Sequence, residues 1–211
     1  HKACGTTHIV HRDLMKIPAT AAEAPGVTLA FRGWGSGAAA LADVASGVAD
    51  IAVSVFRPGP PRGVLVEHIV DEQYRLAGRA GHPALADEAA RGWLDYPHII
   101  VSAEGATRTE VDDRLTATGL ERRVGLAVPS FLLVPDLLRA SQMLALLPSL
   151  VLTGDRAAGL ATAPPPIVVD GFRIDMATHE RHRADLAVAF VATSIRSILQ
   201  DSREKHGADQ G

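Results

Sequence analysis

The order of strands and helices repeats along this chain, and the repeat limits the fold more than any other feature. Residue periodicity predicts a β-α-β-α-β unit in residues 2–56 and a second one in residues 98–147. The two units share a pattern of elements and not of letters. Because neighbouring parallel strands need a crossover connection, each unit predicts a small α/β lobe, a parallel sheet covered by helices.

The predicted elements have recognisable ends. Ser36 is a good N-cap for a helix that carries Leu41, Val44 and Ala45 on one face, and Gly47 ends that helix. If each sheet has the strand order 2-1-3, ligands bind beside its first strand, at the carboxyl ends of the strands. The other predicted elements are helices at 107–118 and 130–140 and strands at 2–7, 27–31, 50–56, 98–102, 123–128 and 143–147.

Two extended segments connect the units. They span residues 64–79 and 164–177, and a final helix at 183–200 is expected to pack on the first lobe. We therefore predict two Rossmann-like lobes that are joined by two crossing strands and close around a ligand by hinge motion. The predicted boundaries place 1–74 plus 178–211 in lobe I and 75–177 in lobe II.

The composition excludes several classes of protein. With 47% hydrophobic residues, the chain can bury a core, and its formal net charge of -3 gives no general attraction to phosphate backbones. The single cysteine, Cys4, excludes an internal disulfide, and no apolar run reaches the roughly 20 residues that cross a membrane. The first residues lack the order of a signal peptide, so we expect an intracellular domain that begins at a domain boundary.

Three segments resemble one family in letters as well as in pattern. EAPGVTLAFRGWGSGAAALADVASGVADIAV (23–53) is similar to the effector domain of LysR-type transcription regulators, with its Pro-Gly turn, strand, helix and Gly-x-x-Asp-Ile-Ala strand. EHIVDEQYRLAGRAGHPALAD (67–87) resembles the crossing strand and His-Pro turn that follow in the family. GLERRVGLAVPSFLLVPDLLRASQMLALLPSLV (119–151) resembles the branch that regulates nodulation genes and aromatic degradation.

The resemblance implies a type II periplasmic-binding-protein-like fold that binds a small-molecule effector between its lobes. It also implies a cytoplasmic homodimer or tetramer with no membrane partner. The family's winged helix-turn-helix precedes such a domain and is absent from this chain, so contact with DNA is expected only through that missing N-terminal domain.

In lobe I, five residues are candidates for effector binding. Thr6, Thr7 and His8 lie where the first strand gives way to a helix, and free N–H groups and hydroxyls at such a point can bind a carboxylate. An ordinary helix cap explains them equally simply. Ser54 and Phe56 end the third strand beside them, and strand termination is their alternative interpretation.

Lobe II supplies five more candidates. Ser102 ends its first strand, and Thr107 and Arg108 follow at the predicted helix start. The guanidinium of Arg108 could bind a carboxylate through two parallel hydrogen bonds, although a solvated loop arginine has the same sequence signature. Ser130 matches the variable position of the family's Val-Pro-x-Phe motif, and Phe131 beside it is a candidate for either core or ligand contact.

No catalytic or metal site is predicted. His179 and His182 are three residues apart without a third ligand, as are His8 and His11, and the expected cleft contains no nucleophile–base pair. We therefore predict that the chain is an effector sensor, that it is not an enzyme and that it uses no cofactor.

The expected effector is a small organic acid, aromatic acids included, which shifts the population of lobe or subunit arrangements. The alternative is an extracytoplasmic solute-binding protein of the same fold. A signal peptide ahead of His1 would indicate that alternative, and a helix-turn-helix there would indicate a regulator.

Overall fold

The computed structural model describes residues 2–6, 26–87, 90–102 and 105–208, with side chains for 26–87, 90–102 and 105–201. Its strands are β1 (Lys2–Thr6), β2 (Leu29–Gly33), β3 (Ile51–Ser54), β4 (Val64–Glu72), β5 (Tyr74–Arg79), β6 (His98–Val101), β7 (Val124–Val128), β8 (Ala145–Pro148), β9 (Leu160–Ala163) and β10 (Phe172–His179). Its α-helices are α1 (Gly37–Ser46), α2 (Glu110–Ala117), α3 (Val134–Arg139) and α4 (Leu186–Ala208).

The chain divides into two compact units. Unit 1 comprises His1–Glu72 and Phe172–Gly211, and unit 2 is the continuous segment Gln73–Gly171. The boundaries expected from the sequence, after residues 74 and 177, differ from these. The larger difference is at the second crossing, because β10 pairs along its length with β4 of unit 1, so the extended segment expected at 164–177 becomes a strand of unit 1 from Phe172 onward.

Unit 1 contains a five-stranded sheet in the order β2-β1-β3-β10-β4. Strands β1, β2 and β3 are parallel, with β1 in the centre, whereas β10 runs antiparallel to β3 and β4. The parallel strands of this unit thus have the order 2-1-3, on which the expected ligand position beside the first strand depends. All four residues of β3 are buried, as expected for a central strand covered on both faces.

Helix α1 covers part of this sheet and has the ends that the sequence predicts. The Ser36 hydroxyl accepts a hydrogen bond from the backbone N–H of Ala39, and Gly47 ends the helix at φ 84°, a left-handed conformation that glycine adopts without strain. Ala40, Leu41 and Val44 are buried against the core of unit 1.

Helix α4 packs on unit 1 through a stripe of apolar side chains at helical spacing. Its buried residues are Val188, Val191, Ile195 and Leu199. An ion pair fixes the same helix to strand β4, where Arg196 donates from Nε and Nη2 to the two carboxylate oxygens of Glu67 at 2.9 and 2.7 Å. The described part of the chain contains no helix that is both long and apolar enough to cross a membrane.

Unit 2 contains the pairings β8-β5-β9 and β6-β7. A parallel bridge between His98 and Leu144 connects the two sets, so the strands follow one another as β7-β6-β8-β5-β9. Strands β6 and β7 are parallel, and β5 runs antiparallel to both neighbours. The strands β6, β7 and β8, which correspond to the second predicted β-α-β-α-β unit, also have the order 2-1-3, with β6 in the centre.

The helices of unit 2 begin later than the sequence suggested. The helix expected from residue 107 begins at Glu110, because Thr109 and not Thr107 forms the cap. The helix expected at 130–140 begins as a 3-10 turn, Phe131–Leu133, and becomes α-helical only at Val134, followed by Pro135 in its first turn. Its residues Val134 and Leu138 are buried in the core that Ile99, Val128 and Leu147 also form.

Candidate functional site

Thr6, Gly33 and Ser54 lie at one edge of the unit 1 sheet, where the parallel strands end. Thr6 pairs with Gly33 of β2 and with Val53 of β3. Ser54 follows directly and is buried, with its hydroxyl donating to the carbonyl of Val55 at 3.4 Å. Thr7 and His8 lie outside the described residues.

The start of helix α1 is pressed against this edge. A Cβ atom on Gly37 would lie 2.2 Å from the carbonyl oxygen of Val55, so only glycine fits there. Phe56 packs against the core cluster of unit 1, which supports the interpretation of this residue as core. The close approach sets the N-terminal turn of α1 beside the carboxyl end of β3, the location that ligands favour in open α/β sheets.

Ser102 and Ser130 come together at the corresponding edge of the unit 2 sheet. The two strands that lead to them end in register at Val101 and Val128, and the backbone N–H of Ser102 donates to the carbonyl of Val128 at 2.9 Å. The hydroxyl of Ser102 accepts from the N–H of Ala106 at 2.9 Å, and that of Ser130 accepts from the N–H of Leu132 at 3.2 Å. Each hydroxyl therefore stabilises a turn as an acceptor, which leaves its O–H group able to donate a hydrogen bond.

Phe131 is half-buried and packs against the core cluster of unit 2. Its contacts favour a structural role. Of the neighbouring residues Ser130 and Phe131, Ser130 is therefore the one that places a polar group, its hydroxyl, at the junction between β7 and the following turn.

Arg108 does not join these serines in the structure. Its Nη2 donates to the Asp113 carboxylate at 3.0 Å and to the Thr116 hydroxyl at 3.4 Å, along the flank of α2, and the hydrogen bond with Asp113 raises the pKa of Arg108. Thr107 and Arg108 line a cavity of about 440 Å³ together with Val124, the first residue of β7. That cavity therefore lies toward the amino end of β7, whereas Ser102 and Ser130 lie beyond the carboxyl ends of the strands.

A buried ion pair that the sequence did not reveal fixes the start of α2. Arg122 donates from Nε and Nη2 to the two carboxylate oxygens of Asp112, both at 2.8 Å, and from Nη2 to the Thr109 hydroxyl at 2.9 Å. Burial raises the pKa of Asp112, but the hydrogen bonds from Arg122 and from the Thr109 backbone outweigh that effect and lower it to about 2. The spacing of Thr109 and Asp112 is that of a capping box, which is a signal visible in the sequence.

Two buried histidines organise the rest of unit 2. His82 accepts from the N–H of Ala84 at 3.2 Å and its Nε2 lies 3.1 Å from the carbonyl oxygen of Gln142. The Nε2 of His98 lies 3.0 Å from the carbonyl oxygen of Trp93, and burial lowers its pKa to about 4. Both histidines have structural partners, and among the described residues no group of three or more metal-ligating side chains could hold a metal ion.

Comparison with known proteins gives this arrangement a family. A model described as the LysR substrate binding domain matches residues 16–199. This chain belongs to the LysR substrate-binding domain family. The resemblance inferred from the sequence is thus confirmed, as is the prediction of an effector-binding domain of this type, and no comparison supports the solute-binding alternative.

Curated relatives of this LysR-family chain are transcription regulators. One is the HTH-type transcriptional activator NahR of Pseudomonas putida, 28% identical over 160 residues, which cover 74% of this chain and 52% of the relative. Another is the HTH-type transcriptional regulator SyrM of Rhizobium meliloti, 29% identical over 128 residues, which cover 59% and 39%. The matched part of the chain thus spans about half the length of the curated relatives or less.

Solved LysR-type domains share the fold. The regulatory domain of MexT, a transcriptional activator in Pseudomonas aeruginosa, is 24% identical with a TM-score of 0.74, and the match covers 93% of this chain and 98% of that domain. This likeness confirms the two-lobed, type II periplasmic-binding-protein-like α/β fold that the sequence predicted.

Proposed function

We propose that this LysR-family domain binds a small organic acid and that binding controls transcription in the longer protein. The observation that supports this most directly is the pair of hydroxyls, Ser102 and Ser130, at the carboxyl edge of a parallel β6-β7 pair in a substrate-binding domain. Hydroxyls of this kind can donate hydrogen bonds to a carboxylate. Within unit 1, the edge formed by Thr6, Gly33 and Ser54 is a second candidate for ligand contact.

The class of ligand follows from the chemistry of these edges. Hydroxyls and backbone N–H groups are neutral donors, so they can donate hydrogen bonds to the negative charge of a carboxylate without adding a charge of their own. A solved relative, the effector-binding domain of QuiR, holds shikimate, a carboxylic acid with a six-membered ring. The comparable fold, with a TM-score of 0.64, makes a ring acid of similar size a reasonable first probe for this domain.

Transcription control is the role that the relatives support. The longer protein would bind DNA through a helix-turn-helix segment, as the names of the relatives indicate, and assemble as a homodimer or tetramer in the cytoplasm. The acid would change the population of arrangements and thereby the affinity for DNA. The domain itself would carry out no catalysis.

Binding can be tested directly on this chain. We would measure the melting temperature with millimolar benzoate, cyclohexanecarboxylate, shikimate and succinate, with benzamide as a neutral control, and determine Kd for each acid that raises it. Hydrogen exchange would then locate the site. We expect protection in unit 2 at residues 105–106 and 130–133, which follow the carboxyl ends of β6 and β7. Failure of every acid to stabilise the domain would contradict the proposed ligand class.

The regulatory step needs the longer protein. We expect a binding acid to change its affinity for operator DNA at least fivefold, measured by fluorescence anisotropy. An acid that binds the domain tightly without changing DNA affinity would contradict the control of transcription and leave acid binding intact.

A further inference from the structure

Arg75 lies at the same edge of the unit 2 sheet as Ser102 and Ser130. It is the second residue of β5 and pairs with Leu147, one residue before β8 ends. Directly opposed residues of an antiparallel pair project from the same face, and Leu147 belongs to the core cluster that helix α3 covers. Arg75 therefore emerges on the α3 face at the carboxyl end of β8. The turn that begins at Ser130 leads into that helix.

One nitrogen of the Arg75 guanidinium lacks a hydrogen-bond partner among the described residues. That nitrogen is Nε, and it is buried. An unpaired buried N–H of this kind costs stability, and native proteins keep few of them. The residue as a whole is only half-buried, so part of Arg75 is exposed to solvent.

Two other arginines in this chain show what that edge of a guanidinium binds. Arg122 uses Nε and Nη2 for the two oxygens of Asp112, and Arg196 uses the same two nitrogens for Glu67. Both are bidentate pairs with a carboxylate, the geometry that the planar fork of arginine favours. Arg75 presents the corresponding Nε without a protein carboxylate.

We propose that Arg75, and not Arg108, is the cation that binds the carboxylate of the effector. The acid would accept hydrogen bonds from Nε and one Nη of Arg75 in place of a protein carboxylate, with the hydroxyls of Ser102 and Ser130 as neighbouring donors at this edge. The inference rests on the proposed function, since it assigns the charged contact within the same acid site. It also explains why the free domain keeps a buried N–H unpaired.

The decisive variant is Arg75→Met, which keeps the apolar stem and removes the fork. Arg79→Met is the matched control, because Arg79 projects from the same face at the far end of β5 and donates only to the carbonyl of Ala80. For whichever of benzoate, cyclohexanecarboxylate or shikimate binds the wild type, we expect Kd to rise at least tenfold in Arg75→Met and to stay within twofold in Arg79→Met. Without acid, the Tm of Arg75→Met should equal or exceed that of the wild type.

Each other outcome has a distinct meaning. If Arg75→Met binds the acid as the wild type does, or if Arg108→Met alone loses it, the assignment to Arg75 is wrong and the acid sensor remains. If benzamide binds as tightly as benzoate, ligand binding stands and the carboxylate contact is refuted. A Tm several degrees lower in acid-free Arg75→Met would show that Arg75 is structural. If no acid binds the wild type, both proposals fail together.

Discussion

Arg122 donates two hydrogen bonds of 2.8 Å, from Nε and Nη2, to the two carboxylate oxygens of Asp112, and both side chains are buried. Removing one partner leaves the other charge buried and unpaired. The resulting loss of folding free energy is larger than the net stabilisation that the intact pair provides. We expect Asp112→Ala to lower the free energy of unfolding by about 3 to 5 kcal/mol in urea titrations. The neighbouring Asp113→Ala removes only the exposed pair with Arg108 and should cost less than about 1 kcal/mol.

The same pair predicts a dependence on acid pH. The folded-state pKa of Asp112 is about 2, below its value of 3.8 in an unfolded chain, so its contribution is complete above pH 4 and is lost as the pH falls toward 2. In Asp112→Asn, the decline in stability between pH 4 and 2 should be shallower than in the wild type. Parallel declines in the two proteins, measured by urea unfolding at each pH, would show that this carboxylate does not set the slope.

His98 predicts a second pH effect at milder acidity. Because burial lowers its pKa from 6.5 to about 4, the unfolded chain takes up a proton below pH 6.5 that the folded chain takes up only near pH 4. Stability is therefore full above pH 6.5 and falls by about 2 to 3 kcal/mol as the pH drops to 4. His98→Gln should remove most of that decline when urea unfolding is measured at each pH, and an unchanged decline would contradict the assignment to His98.

Gly37 tests the close contact between α1 and β3. Gly37→Ala would place a Cβ atom 2.2 Å from the carbonyl oxygen of Val55, so the helix must shift, at a cost of about 1 to 3 kcal/mol in unfolding free energy. Gly35→Ala is the control, because a Cβ on Gly35 meets no atom within 4 Å. Equal stabilities of the two variants in urea would mean that the N-terminal turn of α1 is not held against β3.

His82 tests a contact between distant parts of unit 2. His82→Ala removes the hydrogen bond to Gln142 and the cap on Ala84, both in a buried setting, and should cost about 2 to 4 kcal/mol. His179→Ala removes only a local cap, on Arg181, and should cost about 1 kcal/mol. Thermal unfolding of both variants measures the difference, and similar losses would assign His82 a purely local role.

The architecture could be predicted because its signals are local. Ser36 and Gly47 mark the ends of α1 through contacts within four residues. The alternation of strands with crossover helices indicates parallel sheets and is compatible with the order 2-1-3, which the structure shows in both units.

The start of α2 was missed by three residues because both Thr107 and Thr109 can cap a helix. Each threonine is followed three residues later by a carboxylate, Glu110 after Thr107 and Asp112 after Thr109, so the capping-box spacing fits both. The structure uses Thr109 and Asp112, and the buried pair of Asp112 with Arg122 is a tertiary contact that spacing does not show.

The charged contact that we propose could not be predicted from the sequence, because the hydrogen-bond partners of each arginine are set by the tertiary fold. Arg108 has the sequence context of a clamp, yet a helix neighbour, Asp113, occupies its guanidinium. Arg75 stands in a strand pattern that gives no sign of a binding residue. Arg75 became a candidate only because its buried Nε lacks a hydrogen-bond partner among the described residues. The burial of a single atom cannot be inferred from the spacing of residues in the sequence.

The position of β10 between β3 and β4 has a consequence for synthesis on the ribosome. Strand β4 lies at the edge of its sheet, and its neighbour β10 is translated only after all of unit 2 has been made. Because domains fold as units while the chain emerges, unit 2 can reach its native structure first, while β4 still lacks a partner. Full assembly of unit 1 thus depends on synthesis of the segment that follows unit 2, and a nascent chain stalled before Phe172 should expose β4 to chaperones.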